Sequence, residues 1–302
     1  MKKIATLTHR KPVRLNEGLG YVYIAPALVV VALVLLVPLC YTLGLSLFDY
    51  DLYTRSYSWA GLEPILTVLK DKVFANALKN TMVWTVGSVF FQFILGFMLA
   101  LIVNSSFVKR KTQWRILLMI PWVLPSVVSA MVWKWCYHSD YGIINEVLKQ
   151  LGLISKSISW IGSKETALLA CIIVNVWKMV PFVMLMMEAA LQNVSADLRE
   201  AAQLDGANPL QIFWSVTIPG VRTTMNTVIC LLTIWTMNSF TFIYLLTEGG
   251  PNRQSQTVAI YIYAKAFKNY DFGGASAAAT ILFVATAAVV YVYNRYAIKG
   301  ED

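Results

Sequence analysis

The side chains with chemistry to offer lie where they are most costly, inside long apolar runs. Asn238 and Thr241 stand three residues apart in the run 223–247 and share one face of a helix, with Trp235 and Tyr244 displaced progressively around it. Amides and hydroxyls match the hydroxyls of a sugar, and aromatic rings stack on the apolar face of a pyranose. The same polar groups could instead hydrogen-bond neighbouring helices and hold a bundle together. Lys178 lies about midway along the run 166–187, where a central lysine costs roughly 2.5 to 3.5 kcal/mol, and Asn175 precedes it by three residues. In an aqueous cavity this pair could attract an anionic substrate such as a uronate or a phosphorylated polyol. In an ion pair, or snorkelling to the interface, the lysine would be structural. Thr81, Thr85, Ser88 and Gln92 form a stripe at i, i+4, i+7 and i+11, continued by Gly96. Such a stripe permits close helix packing or lines a cavity, and in the second case Gln92 is its contributor.

Catalytic chemistry finds little support. The chain has two histidines, His9 and His138, and neither a glycine-rich phosphate loop nor a nucleophile elbow. It reads as a non-enzyme that binds no cofactor or metal and cannot hydrolyse ATP by itself. Cys40, Cys136, Cys171 and Cys230 are widely spaced, without a metal-type pairing, and three of them fall in apolar runs as ordinary small residues.

The elements that must position these residues are membrane spans. With 58% hydrophobic and 14% charged residues and a mean hydropathy of +0.60, the chain departs from soluble globular composition. It reads as an all-α polytopic membrane protein. Uncharged runs at 19–48, 80–108, 116–133, 223–247 and 272–294, with the run 166–187 that Lys178 interrupts, predict six transmembrane helices. The first is too long for a signal core and reads as a retained span. Trp133 and Trp135 at one end of the third run, and Trp114 at the other, are placed as interfacial anchors.

The densest basic clusters are Lys2, Lys3, Arg10, Lys11, Arg14 and then Lys109, Arg110, Lys111, Arg115, and both belong on the cytoplasmic side. With six spans, both termini are then cytoplasmic, with tails over 1–18 and 299–302 around one membrane domain over 19–298. The net charge of +9 is explained by anionic lipid headgroups and requires no nucleic acid.

Between the fourth and fifth spans the segment 195–219 is polar and punctuated. Asp197 and Glu200 suggest a variant capping box, and Gly206 supplies a stop. Asn208, Pro209 and Gln211 then start again, and Pro219 limits the continuation, so two short helices joined by a sharp turn are expected. Gly249, Gly250 and Pro251 read as the stop of the fifth span, or as a rigid turn that a binding protein could touch.

The spacing of Glu200, Ala201, Ala202, Gly206, Val216, Ile218 and Pro219 resembles the EAA loop of permease subunits in binding-protein-dependent ABC importers, with Val and Ile where Ile and Leu are usual. PWVLP at 121–125, GIIN at 142–145, IYLLTEGGP at 243–251 and AFKNYDFGGASAAA at 266–279 are similar to the first-type permeases of carbohydrate importers, the group with the maltose and glycerol-phosphate systems. The resemblance implies that Glu200 makes a polar contact with an ATPase, that Ala201 and Ala202 allow close packing and that Gly206 makes the turn; the loop itself is read as two short helices with Arg199, Gln203 and Asp205 exposed. The resemblance also implies the partners: a second homologous permease, two copies of a cytoplasmic ATPase subunit that bind the ATP and Mg, and a periplasmic or lipid-anchored substrate-binding protein. The setting is a bacterial or archaeal cytoplasmic membrane. Permeases of this group often place an acidic residue after the Phe near position 240, where this chain has Thr241. A non-sugar solute, such as a glycerophosphodiester or polyamine, and a secondary transporter are the competing readings.

Overall fold

The computed structural model describes residues 17–51, 56–105 and 107–297, so Lys2, Lys3, Arg10, Lys11, Arg14 and the 299–302 tail lie outside the described residues. Long apolar segments have no route to backbone hydrogen bonds in hydrocarbon except helix, and helices dominate. α1 (Glu17–Val31) passes through a π turn (Ala32–Leu36) into α2 (Val37–Leu45). A short antiparallel ribbon follows, β1 (Phe48–Asp51) with β2 (Ser56–Trp59), the one departure from an all-α chain among the described residues. α3 (Glu63–Lys70) leads to α4 (Lys72–Asn104), whose first turn is capped by Asp71, its Oδ1 accepting from the Val73 N–H at 2.8 Å.

The third run is not one helix. α5 (Lys111–Val123) and α6 (Ser126–Cys136) meet at an 89° bend at Leu124–Pro125. Apolar composition marks a membrane segment but carries no record of a break, and Pro125 disfavours helical backbone at the residue before it. α7 (Ile143–Gln150) is followed by α8 (Ala167–Gln192), α9 (Ala196–Leu204) and α10 (Pro209–Ile212). α10 does not end: it continues through a second π turn (Phe213–Thr217) into α11 (Ile218–Met237). α12 (Thr241–Thr247), α13 (Val258–Tyr263) with a π turn (Ala264–Lys268), and α14 (Phe272–Ala297) complete the chain. The fifth run is therefore also broken, by 42° between Met237 and Thr241. Four straight helices are long and apolar enough to cross a membrane, and the two bent pairs raise this to six.

α4 and α8 form the central pair. Gly96 permits their approach, because a Cβ there would collide with Val183 and come within 2.9 Å of the Val180 carbonyl. The stripe Thr81, Thr85, Ser88 and Gln92 is buried in the bundle, where Thr81 Oγ1 accepts from the Val258 N–H at 2.9 Å. Trp84 is fully buried and donates its indole N–H to the Thr236 carbonyl at 2.8 Å, tying α4 to α11. Glu188, itself buried in α8, receives Arg115 of α5 through two guanidinium nitrogens, Nη2 and Nε, the latter at 2.8 Å. Trp133 is half-buried and packs on Tyr137 and Trp177 against the core, whereas Trp135 and Trp114 are exposed as expected.

Candidate functional site

At one end of the bundle, α9 and α10 make a helical elbow. Its N-cap is Ser195, and Asp197 lies inside the first turn with no capping hydrogen bond, so the capping box expected from Asp197 and Glu200 does not form. Arg199 instead donates to the Val194 carbonyl at 2.9 Å. Gly206 takes φ +81°, the left-handed backbone that lacks penalty only for glycine, while the Gly206 and Ala207 N–H groups close on Gln203 and Ala202. The next start is as read from the sequence: Asn208 and Gln211 form a reciprocal capping box at 2.8 and 2.9 Å, with Pro209 in the first turn. The expectation of a second short helix fails. The π turn ahead of Pro219 widens the helix where proline has no N–H to offer, and the rod runs unbroken from Pro209 to Met237. Glu200, Ala201, Asp205 and Gly206 are exposed, Arg199 and Ala202 half-buried, Leu204 stands 89% exposed, and Leu198, Leu210 and Trp214 are exposed as well.

A second feature lies inside the bundle, where both broken helices meet α8. A cavity of about 220 Å³ is lined by Ser126 from the first break, Asn175 and Lys178 from α8, and Trp235, Thr236 and Ser239 from the second. Lys178 is buried, and its ammonium donates to the carbonyls of Trp122, at 3.1 Å, and Leu124. Those carbonyls are the unsatisfied end of α5, and a cation there also meets the negative end of the helix dipole. The lysine thus has its polar partner, which is neither a carboxylate nor the membrane interface. Asn175 Nδ2 is buried without a partner among the described residues, while the Asn175 carbonyl accepts from Gln92 Nε2 at 3.2 Å. Gln92 supports the cavity from behind and is not part of its lining.

Asn238 and Thr241 do not share a face, because the helix breaks between them. Asn238 is exposed and returns its amide to the Ile234 carbonyl at 2.9 Å, and Thr241 opens the next helix. Trp235 does face the cavity and packs on Phe182 with ring centroids 5.2 Å apart. Tyr244 lies beyond the break, where its hydroxyl donates to that of Tyr263 at 3.3 Å. Sequence reasoning missed Ser126, Thr236 and Ser239. Ser126 and Ser239 flank the two breaks, and the available signal was the Pro-rich PWVLP and the cluster Asn238, Ser239.

The opposite end is organised by Asn145 in the GIIN segment. Its Nδ2 donates to three carbonyls, the nearest that of Ile158 at 2.9 Å, and its Oδ1 accepts from Ile158 and Trp160. Glu248 and Gly249 adopt positive φ and end α12, which is the stop expected there.

The family described as the inner membrane component of binding-protein-dependent transport systems matches residues 92–300, about two thirds of the chain and all of the elbow. The chain belongs to this family. This permease is 33% identical over 278 residues to the trehalose/maltose transport system permease protein MalF of Thermococcus litoralis, covering 91% of this chain and 92% of that one. It is 31% identical over 287 residues to the sulfoquinovosyl glycerol transport system permease protein SmoG of Agrobacterium fabrum, covering 94% and 91%. Its fold matches a chain of a bacterial ABC transporter involved in the import of the acidic polysaccharide alginate, with a TM-score of 0.81 at 22% identity over 94% and 96% of the two chains. The permease is therefore a multi-pass membrane transport subunit.

Proposed function

We propose that the permease carries a carbohydrate inward in an ATP-driven cycle. It pairs with a second, homologous permease, two copies of a cytoplasmic ATPase subunit and a periplasmic or lipid-anchored substrate-binding protein. The complex sits in a bacterial or archaeal cytoplasmic membrane, with both termini and the 195–219 elbow in the cytoplasm. ATP and Mg belong to the ATPase subunits, and this chain binds neither. The observation that carries the reading is the near full-length relation to two permeases named for trehalose/maltose and for sulfoquinovosyl glycerol.

The geometry supports a division of labour. The exposed face of Glu200, Ala201, Asp205 and Gly206 seats in the ATPase, and motion there passes along the Pro209–Met237 rod to the cavity wall. With the Lys178 ammonium spent on helix carbonyls, the cavity offers a substrate the Asn175 amide, the Ser126 and Ser239 hydroxyls and the Trp235 ring. That is a hydroxyl-matching surface, with the Lys178 charge directed onto helix carbonyls at its edge. Direction requires ATP to bind the outward-facing complex better than the inward-facing one, since equal affinity shifts nothing.

Mass spectrometry of proteins co-purifying with the tagged chain from its native membrane tests the assembly. Wild type should retain an ATPase and a second permease, and Gly206→Pro should lose the ATPase alone. Uptake of radiolabelled maltose and trehalose, competed with spermidine and glycerophosphocholine, tests the substrate class. Inhibition of cellular uptake by the non-sugar competitors, with neither disaccharide accumulated, would overturn the carbohydrate reading.

A further inference from the structure

Between α12, α13 and the turn after Glu248, at the end away from the elbow, lies a cavity of about 490 Å³ that the transport argument does not use. Its size is within the roughly 300 to 1,000 Å³ of small-molecule sites. Tyr244, Tyr261, Tyr263, Glu248, Arg253 and Lys268 contribute to its lining. The rings form a series: Tyr263 meets Tyr244 at 5.0 Å, and Tyr244 stacks on Phe240 at 4.8 Å. Phe240 adjoins Ser239, which lines the inner cavity, so the series leads from the outer cavity to the helix break.

Polar groups line the same cavity. Burial pushes the Tyr261 phenol up, so it stays protonated and donates to Asp71 Oδ2 at 2.7 Å. Tyr263 accepts from Tyr244 and keeps its own proton to donate. Glu248 and Lys268 face each other at 3.6 Å across the exposed rim. Gln256, only 7% exposed, also borders the cavity and has its Oε1 unpartnered among the described residues. Rings for an apolar sugar face, beside donors and acceptors of both charge signs, are the complement of a pyranose.

We propose that this cavity is a second saccharide site, holding a pyranose unit outside the membrane before it enters the inner cavity. The proposal rests on the carbohydrate reading above and adds a staging position to it. The test is saturation-transfer NMR on the full chain with its co-purified partners in lipid nanodiscs, using maltose, trehalose and methyl glucoside as probes. Tyr263→Ala and Glu248→Ala should each weaken pyranoside binding about threefold to tenfold, the equivalent of one lost ring or hydrogen-bond contact, while Trp235→Ala leaves the outer site occupied. Glu248 is exposed, so its variant reads the site without opening a cavity in the core. Loss of transfer in Trp235→Ala alone would place the sugar in the inner cavity only, overturning the second site and leaving the carbohydrate reading intact. Weakened capture of the binding protein by Tyr263→Ala, with pyranoside binding unchanged, would make the cavity a protein contact and overturn it as well. Transfer to spermidine or glycerophosphocholine but to no pyranoside would remove both readings together.

Discussion

Lys178 shows how one residue can be costly for a reason its own sequence position does not contain. Its cost in an apolar run was legible; its partner was not, because the partner is backbone freed by a helix break some fifty residues away. Lys178→Met leaves the Trp122 and Leu124 carbonyls without that donor. It should lower stability by about 1 to 3 kcal/mol, the usual cost of orphaned buried polar groups. Thermal unfolding in detergent measures it, and Lys178→Arg should fall between the two. An unchanged midpoint in Lys178→Met would mean that the ammonium does not hold the break. The Arg115 and Glu188 pair teaches the same lesson. Arg115 read as one member of a basic cluster for lipid, yet it reaches a carboxylate buried in α8. Asn175 and Trp235 were recognisable as polar and aromatic residues in spans, but which of the candidates would share one cavity depended on two bends.

Elements were legible in number and less so in continuity. Runs of apolar residues located the four straight helices long enough to cross a membrane and the two bent pairs, because burial in lipid leaves a signal that extends over some 20 residues. The bends at Leu124–Pro125 and at Asn238 leave no such signal, since a broken span and a straight one have the same composition. Caps and turns were readable where a specific side chain fits a specific backbone need, as at Gly206 and at Asn208 with Gln211. Asn208→Ala removes half of that reciprocal pair and should cost about 1 kcal/mol locally. Hydrogen exchange at the elbow should rise while the α4 and α8 core stays protected. At the centre of the bundle, Gly96→Leu forces α4 away from Val180 and Val183. Overpacking of this kind costs about 1 to 3 kcal/mol or more, and the variant should show reduced folded yield in the membrane. Full yield and full uptake would show that the pair can separate without loss.

For the whole molecule, the exposed apolar surface is the informative quantity. α1 and α2 bury none of their most apolar stretch within this chain, and Leu28, Val34 and Leu35 are among the residues left open. In a membrane that face meets lipid or another subunit, so isolation from both should aggregate the chain. The orientation can be read chemically. In a cysteine-free background, Leu204→Cys should react with a membrane-impermeant maleimide only in inside-out vesicles, and Tyr141→Cys only in intact cells. Both positions are exposed, at opposite ends of the bundle. Labelling of the two from the same side would invert or discard the six-crossing arrangement. The number of apolar segments was readable from sequence because it depends on sums over many residues rather than on any one contact.

The unbroken helix from Pro209 to Met237 also has a mechanical consequence. Its 29 residues make a rod of roughly 40 Å, anchored at the elbow and ending where the helix breaks. A tilt of about 5° about one end displaces the other by about 3 to 4 Å, roughly the length of a hydrogen bond. In the proposed assembly the elbow is the gripped end of a lever, and the break before Thr241 is its free tip. Because α12 lies beyond the 42° bend, the tip can swing Trp235 and Ser239 while the outer helix stays in place.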